Sequence, residues 1–127
     1  MTPLGAVRRD GNTAPFLDAT ARGEFLLRRC TACQHIGGPQ EALCPACEST
    51  ETEWIPAAGG ARVVSWSVVH ARNAPPTITV IAEFDEGPWW WSQLVDADPA
   101  DLSTGHRLRV GFEEADGSET LPVFRLA

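Results

Sequence analysis

The chain contains no lysine and no tyrosine, a single methionine, and only three histidines in 127 residues. Its ten cations are therefore all arginines, set against seventeen carboxylates for a formal net charge of −7. That balance works against the extended basic footprint from which most affinity for nucleic acid derives. Long apolar runs are missing too, since no stretch approaches the roughly 20 residues needed to span a bilayer. Residues 1–18 carry Arg8, Arg9 and Asp10 and no apolar core of signal-peptide length. A soluble, cytoplasmic protein without membrane association is expected. No Gly-rich phosphate loop, nucleophile elbow or His-Glu-x-x-His helix occurs. Of His35, His70 and His106, none has a carboxylate at a spacing that fixes it nearby. The length suits one ordinary domain, or one domain with a small metal module, and excludes two large enzyme domains.

What is present begins with the four cysteines. Cys30 and Cys33 form one Cys-x-x-Cys pair and Cys44 and Cys47 a second, ten residues further on. Two tight turns of this kind supply four thiolates to one ion in a closed tetrahedral site. Four protein ligands leave no position for water or substrate, so the metal is expected to hold structure and not to catalyse. Softness and geometry favour zinc over iron bound as in a rubredoxin. His35 could in principle replace a thiolate, but four cysteines already complete the set. Two disulfides would require a secreted chain, and a thioredoxin-like dithiol needs one such motif at a helix start.

The spacing predicts three parts: an N-terminal helical segment over 1–23, a zinc ribbon over 24–58 and a barrel over 59–127. In the first, Thr13 can cap a helix, Pro15 sits in its first turn and Gly23 can end it; Phe16 and Leu17 are its exposed-looking apolar residues. Strands over 24–30 and 51–57 would lead into and out of the cysteine turns. From Ala61 the period becomes two. Val64, Trp66 and Val68 alternate with Ser65 and Ser67, and Ile78, Val80, Ala82 and Phe84 alternate with Thr77, Thr79 and Glu83. Further runs over 89–95, 107–112 and 120–126, with breaks at 73–76, 85–88, 96–105 and 113–118, complete a mainly β chain. Five short strands suggest a five-stranded antiparallel barrel of the OB type.

Two features could serve binding. Trp89, Trp90 and Trp91 are consecutive, so on a strand Trp89 and Trp91 share one face and Trp90 takes the other. One side can fill the barrel, and the other needs a covering element, a ligand or a partner subunit. His70 ends a strand just before the Pro75-Pro76 loop, where it could line a pocket or serve as a hydrogen-bonded structural histidine.

Taken in order, GEFLLRRCTAC, CPAC, GGARVVSWSVVH, a Pro-Pro loop, FDEGPWWWSQLV, HRLRVGFE and LPVFRL resemble the zinc-ribbon plus OB-fold family catalogued as domain of unknown function thirty-five. The resemblance covers residues 16–126. It implies an N-terminal helix, a rubredoxin-like ribbon with Cys30, Cys33, Cys44 and Cys47 as zinc ligands, and an OB barrel. It further implies an accessory subunit that packs on a thiolase-superfamily enzyme and helps form its acyl-CoA site, in one branch a retro-aldolase of steroid side-chain degradation. His70, Pro75, Pro76, Trp89 and Trp91 become candidate channel or interface residues, in an assembly with two copies of each chain. The sequence departs from the family where a glycine commonly follows each cysteine pair at positive φ, because Gln34 and Glu48 stand there. The family's early aromatic pair is also reduced to Phe16-Leu17. Other classes remain open: a stand-alone OB fold binding single-stranded nucleic acid, or an enzyme using His70 with Glu83 or Asp85.

Overall fold

A helix, α1 (Ala14–Ala21), begins with Pro15 in its first turn, though no side-chain capping bond comes from Thr13. It stops where expected, because Gly23 adopts φ 80°, a left-handed conformation that glycine enters without strain. The Gly23 N–H then reaches the Thr20 carbonyl at 3.0 Å and the Glu24 N–H the Ala19 carbonyl at 2.9 Å, which satisfies two carbonyls of the last turn. The computed structural model describes residues 11, 13–41, 43–114 and 119–127. Residues 1–10 of the expected helical segment and 115–118 of the last break lie outside the described residues.

Beyond α1, strands β1 (Leu26–Cys30), β2 (Ile36–Gly37) and β3 (Thr52–Pro56) form a small antiparallel sheet in the order β2-β1-β3. Five longer strands follow: β4 (Gly60–Val69), β5 (Thr77–Phe84), β6 (Trp89–Leu94), β7 (Arg107–Glu114) and β8 (Thr120–Leu126). They close into a barrel in the order β4-β5-β6-β8-β7. The expectation of a purely antiparallel barrel is corrected here, since β6 and β8 run parallel, with Leu94 opposite Phe124. A closed ring of five strands cannot alternate in direction all the way round, so one pair has to be parallel.

Strand β5 keeps its predicted alternation, with Ile78, Val80, Ala82 and Phe84 buried and the residues between them half-buried. Strand β4 does not. A bulge between Val63 and Ser65 shifts its register, so Ala61 and Val63 face the core, Val64 falls in the irregularity, and Trp66 and Val68 pair with Val80 and Ile78 toward the strand's end, where Val68 is half-buried and Trp66 exposed. One extra residue in a strand reverses the parity that simple alternation assumes.

Phe16 and Leu17 are also corrected, because both are buried. Phe16 meets Phe25 edge-on at 5.2 Å and lies 5.6 Å from Trp90, while Phe25 lies 4.5 Å from Phe84 and 5.1 Å from Trp90. Helix, ribbon and barrel thus share one core. Thr20 is buried with them and is satisfied, its hydroxyl donating to the Leu17 carbonyl at 3.0 Å or the Thr120 carbonyl at 2.6 Å.

At the mouth of the β5–β6 turn, Arg107 of β7 clasps Asp85 with both guanidinium nitrogens, at 2.8 and 3.0 Å. Gly60 makes room for the pair, since a Cβ there would come 2.5 Å from an Asp85 oxygen and 2.8 Å from Arg107. The Arg107 hydrogen bonds hold the Asp85 carboxyl below the usual carboxylate range. A depressed folded-state value contributes stability above the unfolded value of about 3.9, and that contribution is lost as pH falls through the folded one. Thermal melts of Asp85→Asn against the parent are therefore expected to differ at neutral pH and to converge as the pH drops below about 3.9.

Candidate metal centre and aromatic surface

Each cysteine pair is shaped by its backbone before any ion is considered. In the first turn the Gln34 N–H donates to the Cys30 carbonyl and the Cys30 N–H to the His35 carbonyl, both at 2.8 Å. The second turn repeats the pattern, with Glu48 N–H to the Cys44 carbonyl at 2.8 Å and Cys44 N–H to the Ser49 carbonyl at 2.9 Å. Gln34 and Glu48 occupy φ 68° and 63°, the left-handed region expected of the missing glycines. Holding an ordinary side chain there costs on the order of 1 kcal/mol per position.

The four sulfurs lie within 4.8 Å of one another. Cys30 Sγ is 3.5 Å from Cys47 Sγ, and Cys33 Sγ is 3.6 Å from Cys44 Sγ. A tetrahedral zinc site with Zn–S bonds of about 2.3 Å has edges of roughly 3.8 Å, so the donor set and its spacing fit structural zinc. Backbone N–H groups aid the thiolate form. Those of Cys33 and Ala32 help bring Cys30 down to about 7. At Cys47 the Ser49 N–H acts the same way but is outweighed, and the crowded sulfurs of Cys30 and Cys33 push the thiol up to about 12. Sulfurs this close cannot all carry charge unless a cation lies among them. His35 is outside the sulfur group; its Nε2 lies 4.0 Å from Glu41 Oε2.

The three-residue tryptophan run divides as its parity predicts. Trp90 turns toward Phe16 and Phe25, whereas Trp89 and Trp91 remain 55% and 71% exposed. Trp91 stands opposite Ile81 and Trp89 opposite Glu83 on the outer face of the β5–β6 ladder. The Trp89 indole N–H donates to Glu83 Oε2 at 3.1 Å, and Glu83 Oε1 accepts from Arg62 Nε at 2.7 Å. These contacts, the Trp89 indole first, hold the Glu83 carboxyl below its ordinary value.

His70, Pro75 and Pro76 are exposed on the β4–β5 loop. That loop enters β5 at Thr77, while Trp89 pairs at Glu83 near the other end of the same strand. The two groups of candidate residues are therefore separated by about 13 Å of strand for Trp91 and about 20 Å for Trp89 at the usual rise per residue. The same separation removes Glu83 and Asp85 as partners for His70, and each is already engaged by arginine.

Sequence reasoning missed a groove of about 610 Å³ between ribbon and barrel, bordered by Gln34, His35, Gln40, Glu41, Glu86 and Trp89. Nothing local announces it, because its two walls are distant in sequence and only the fold brings them together.

Comparison with known proteins agrees with this architecture. A rubredoxin-like zinc ribbon domain of ChsH2 matches residues 17–53, and a C-terminal OB-fold domain of ChsH2 matches 54–113. A probable enoyl-CoA hydratase alpha subunit of Thermomonospora curvata is 31% identical over 131 residues, an alignment that takes in 100% of this chain but only 40% of that protein. A DUF35 domain-containing scaffold protein of Methanocaldococcus jannaschii is 33% identical over 100 residues, covering 72% of this chain and 70% of the relative. Among solved structures, a chain of the Ltp2-ChsH2(DUF35) aldolase superposes with a TM-score of 0.82 at 31% identity, covering 97% of this chain and 98% of that one. A DUF35-family protein of unknown function from Sulfolobus solfataricus shares the fold at a TM-score of 0.67 and 12% identity, over 92% of this chain and 86% of that one. Ribbon and barrel both match their family models, and the chain accordingly belongs to the ChsH2-type DUF35 family of zinc-ribbon plus OB-fold proteins.

Proposed function

We propose that this chain is an accessory subunit that binds and supports a thiolase-superfamily acyl-CoA enzyme, a carbon–carbon lyase of the retro-aldolase type in steroid side-chain degradation. One observation carries the reading: nearly the whole chain superposes on a chain of an aldolase whose name joins Ltp2 to ChsH2(DUF35). The absence of an assembled acid/base pair among the described residues supports it, since the carboxylates of Glu83 and Asp85 are spent on Arg62, Trp89 and Arg107. The partner then supplies the nucleophile and base, and two copies of each chain make up the assembly.

In this reading Cys30, Cys33, Cys44 and Cys47 hold one structural zinc in a ribbon of residues 24–58, and the barrel of 59–127 meets partner and substrate. His70, Pro75 and Pro76 border the acyl-CoA, in a loop that also carries Arg72 and adjoins the exposed Trp66 and Val69. An apolar surface beside a cation suits an acyl chain linked to phosphates. A nucleic-acid-binding OB fold remains the second reading, favoured only by two exposed indoles on the sheet face where OB folds bind oligonucleotides.

Elemental analysis of the purified chain is expected to find one zinc per chain. Cys44→Ala should lose it, with a stability loss of about 3 kcal/mol or more, which is on the order of 10 °C in thermal midpoint. A zinc-free parent with an unchanged melt would remove the ion's structural role.

Co-expression with a thiolase-superfamily protein from the same organism is expected to yield a stable complex that cleaves a β-hydroxyacyl-CoA, with neither subunit active alone. His70→Ala in that complex should cost less than about tenfold in rate, whereas loss of a general base costs 10²–10⁴-fold. A monodisperse chain that associates with no such protein would sink the proposal.

A further inference from the structure

The groove between ribbon and barrel and the tryptophan pair are one surface. A second concavity, of about 300 Å³, is lined by Gln40, Ile81, Trp89, Trp90 and Trp91, so Gln40 and Trp89 border both hollows. One part is aromatic and the other acidic. In the acidic part Glu86 Oε1 and Glu41 Oε2 are shielded from water without a hydrogen-bond partner; Glu86 Oε2 accepts from the Ala58 N–H at 2.8 Å, and Glu41 Oε2 has His35 Nε2 at 4.0 Å, too far for a hydrogen bond. A shielded, unpaired carboxylate oxygen is costly, and an arriving cation offsets that cost. In the aromatic part, Trp89 is already fixed by Glu83 and Arg62 before anything binds. Pre-organised tryptophan on an otherwise polar rim is the usual make-up of an interface anchor.

Charge selects the occupant. Arg62 and Arg107, the cations of this region, are committed to Glu83 and Asp85. A nucleic acid, a phosphate-bearing cofactor or an anionic membrane would meet Glu41, Glu83 and Glu86, with both of these arginines already paired and His35 facing Glu41. A second copy of this chain, at net charge −7, would bring the same acidic rim. We infer that this continuous surface seats a segment of the partner enzyme that presents an apolar side chain to Trp89 and Trp91 beside an arginine or lysine directed at Glu41 and Glu86. This rests on the accessory-subunit reading above and names where, and with what chemistry, the partner is held.

The test measures affinity between the full-length chain and its co-expressed thiolase-like partner at low and high salt, for the parent, Trp91→Ala, the double variant Glu41→Gln/Glu86→Gln, and Thr104→Ala, at an exposed position that lines neither hollow. Zinc content and circular dichroism report that each variant is folded. Trp91→Ala is expected to weaken binding by about tenfold or more. The double variant should associate more slowly and with a flatter salt dependence, and Thr104→Ala should bind like the parent. If the parent binds while Trp91→Ala and the double variant stay within about twofold of it, this surface is the wrong one and the accessory role stands. Trp91-dependent self-association, or Trp91-dependent binding of an oligonucleotide, overturns the assignment in favour of that occupant. A parent that binds no thiolase-like partner overturns the accessory role and this inference together.

Discussion

Phe25 is the residue on which the arrangement of the three parts depends. It lies between α1 and β1, yet its ring touches Phe16 of the helix, Phe84 of β5 and Trp90 of β6. Its carbonyl also accepts the Ala57 N–H at 2.8 Å, which ties in the chain just after β3. Leu26 and Leu27 follow it into the same core. Aromatic pairs of this kind add about 0.5–1.5 kcal/mol each beyond the area they bury, so ribbon and barrel are locked at one mutual orientation. The groove between them is consequently a fixed feature of the fold, with walls set by a shared core.

The other end of the ribbon has no such support. Strand β2 is two residues long, and the second cysteine turn is joined to the sheet mainly through β3. Sheets this small cannot bury enough apolar surface to stand alone. The clustered sulfurs meet that deficit with a metal-shaped site, while Arg28 stacks on Trp54 at 4.1 Å and donates to the Pro39 carbonyl at 2.9 Å, fastening the intervening loop. Apolar packing thus secures the barrel side of the ribbon, and the tip carries four sulfurs whose spacing fits a zinc ion. Gln34 and Glu48 hold left-handed conformations in the two turns, and an ion joining the four sulfurs would over-determine both.

How far the sequence could be read follows from how local each signal is. The cysteine spacing, the alternation of β5 and the parity of the tryptophans are written within a few residues, and each matches the structure; the left-handed positions at Gln34 and Glu48 follow from the family resemblance, not from the residues that stand there. Val64 departs from its expected row because a bulge leaves no mark in an alternating pattern. The parallel β6–β8 pair is a property of ring closure and belongs to no single strand. Phe16 and Leu17 looked exposed because their covering partners, Phe25 and Trp90, come from elsewhere in the chain. The groove is the extreme case: Gln40 and Glu86 are unremarkable in their own loops and meet only through the Phe25 core.

The same distinction separates this chain from OB folds that bind single strands. Those proteins pair exposed aromatics with a basic groove, so that bases stack while the backbone is neutralised. Here the aromatics are kept and the charge is inverted, with Glu83 holding the indole of Trp89 in place and Arg62 turned onto Glu83. A phosphate backbone would gain the stacking and lose more to the carboxylates, whereas a basic, apolar protein segment gains from both. Inverting the rim charge on an unchanged barrel therefore disfavours a phosphate backbone while leaving the aromatic surface available, because stacking surfaces are permissive and electrostatic ones are not.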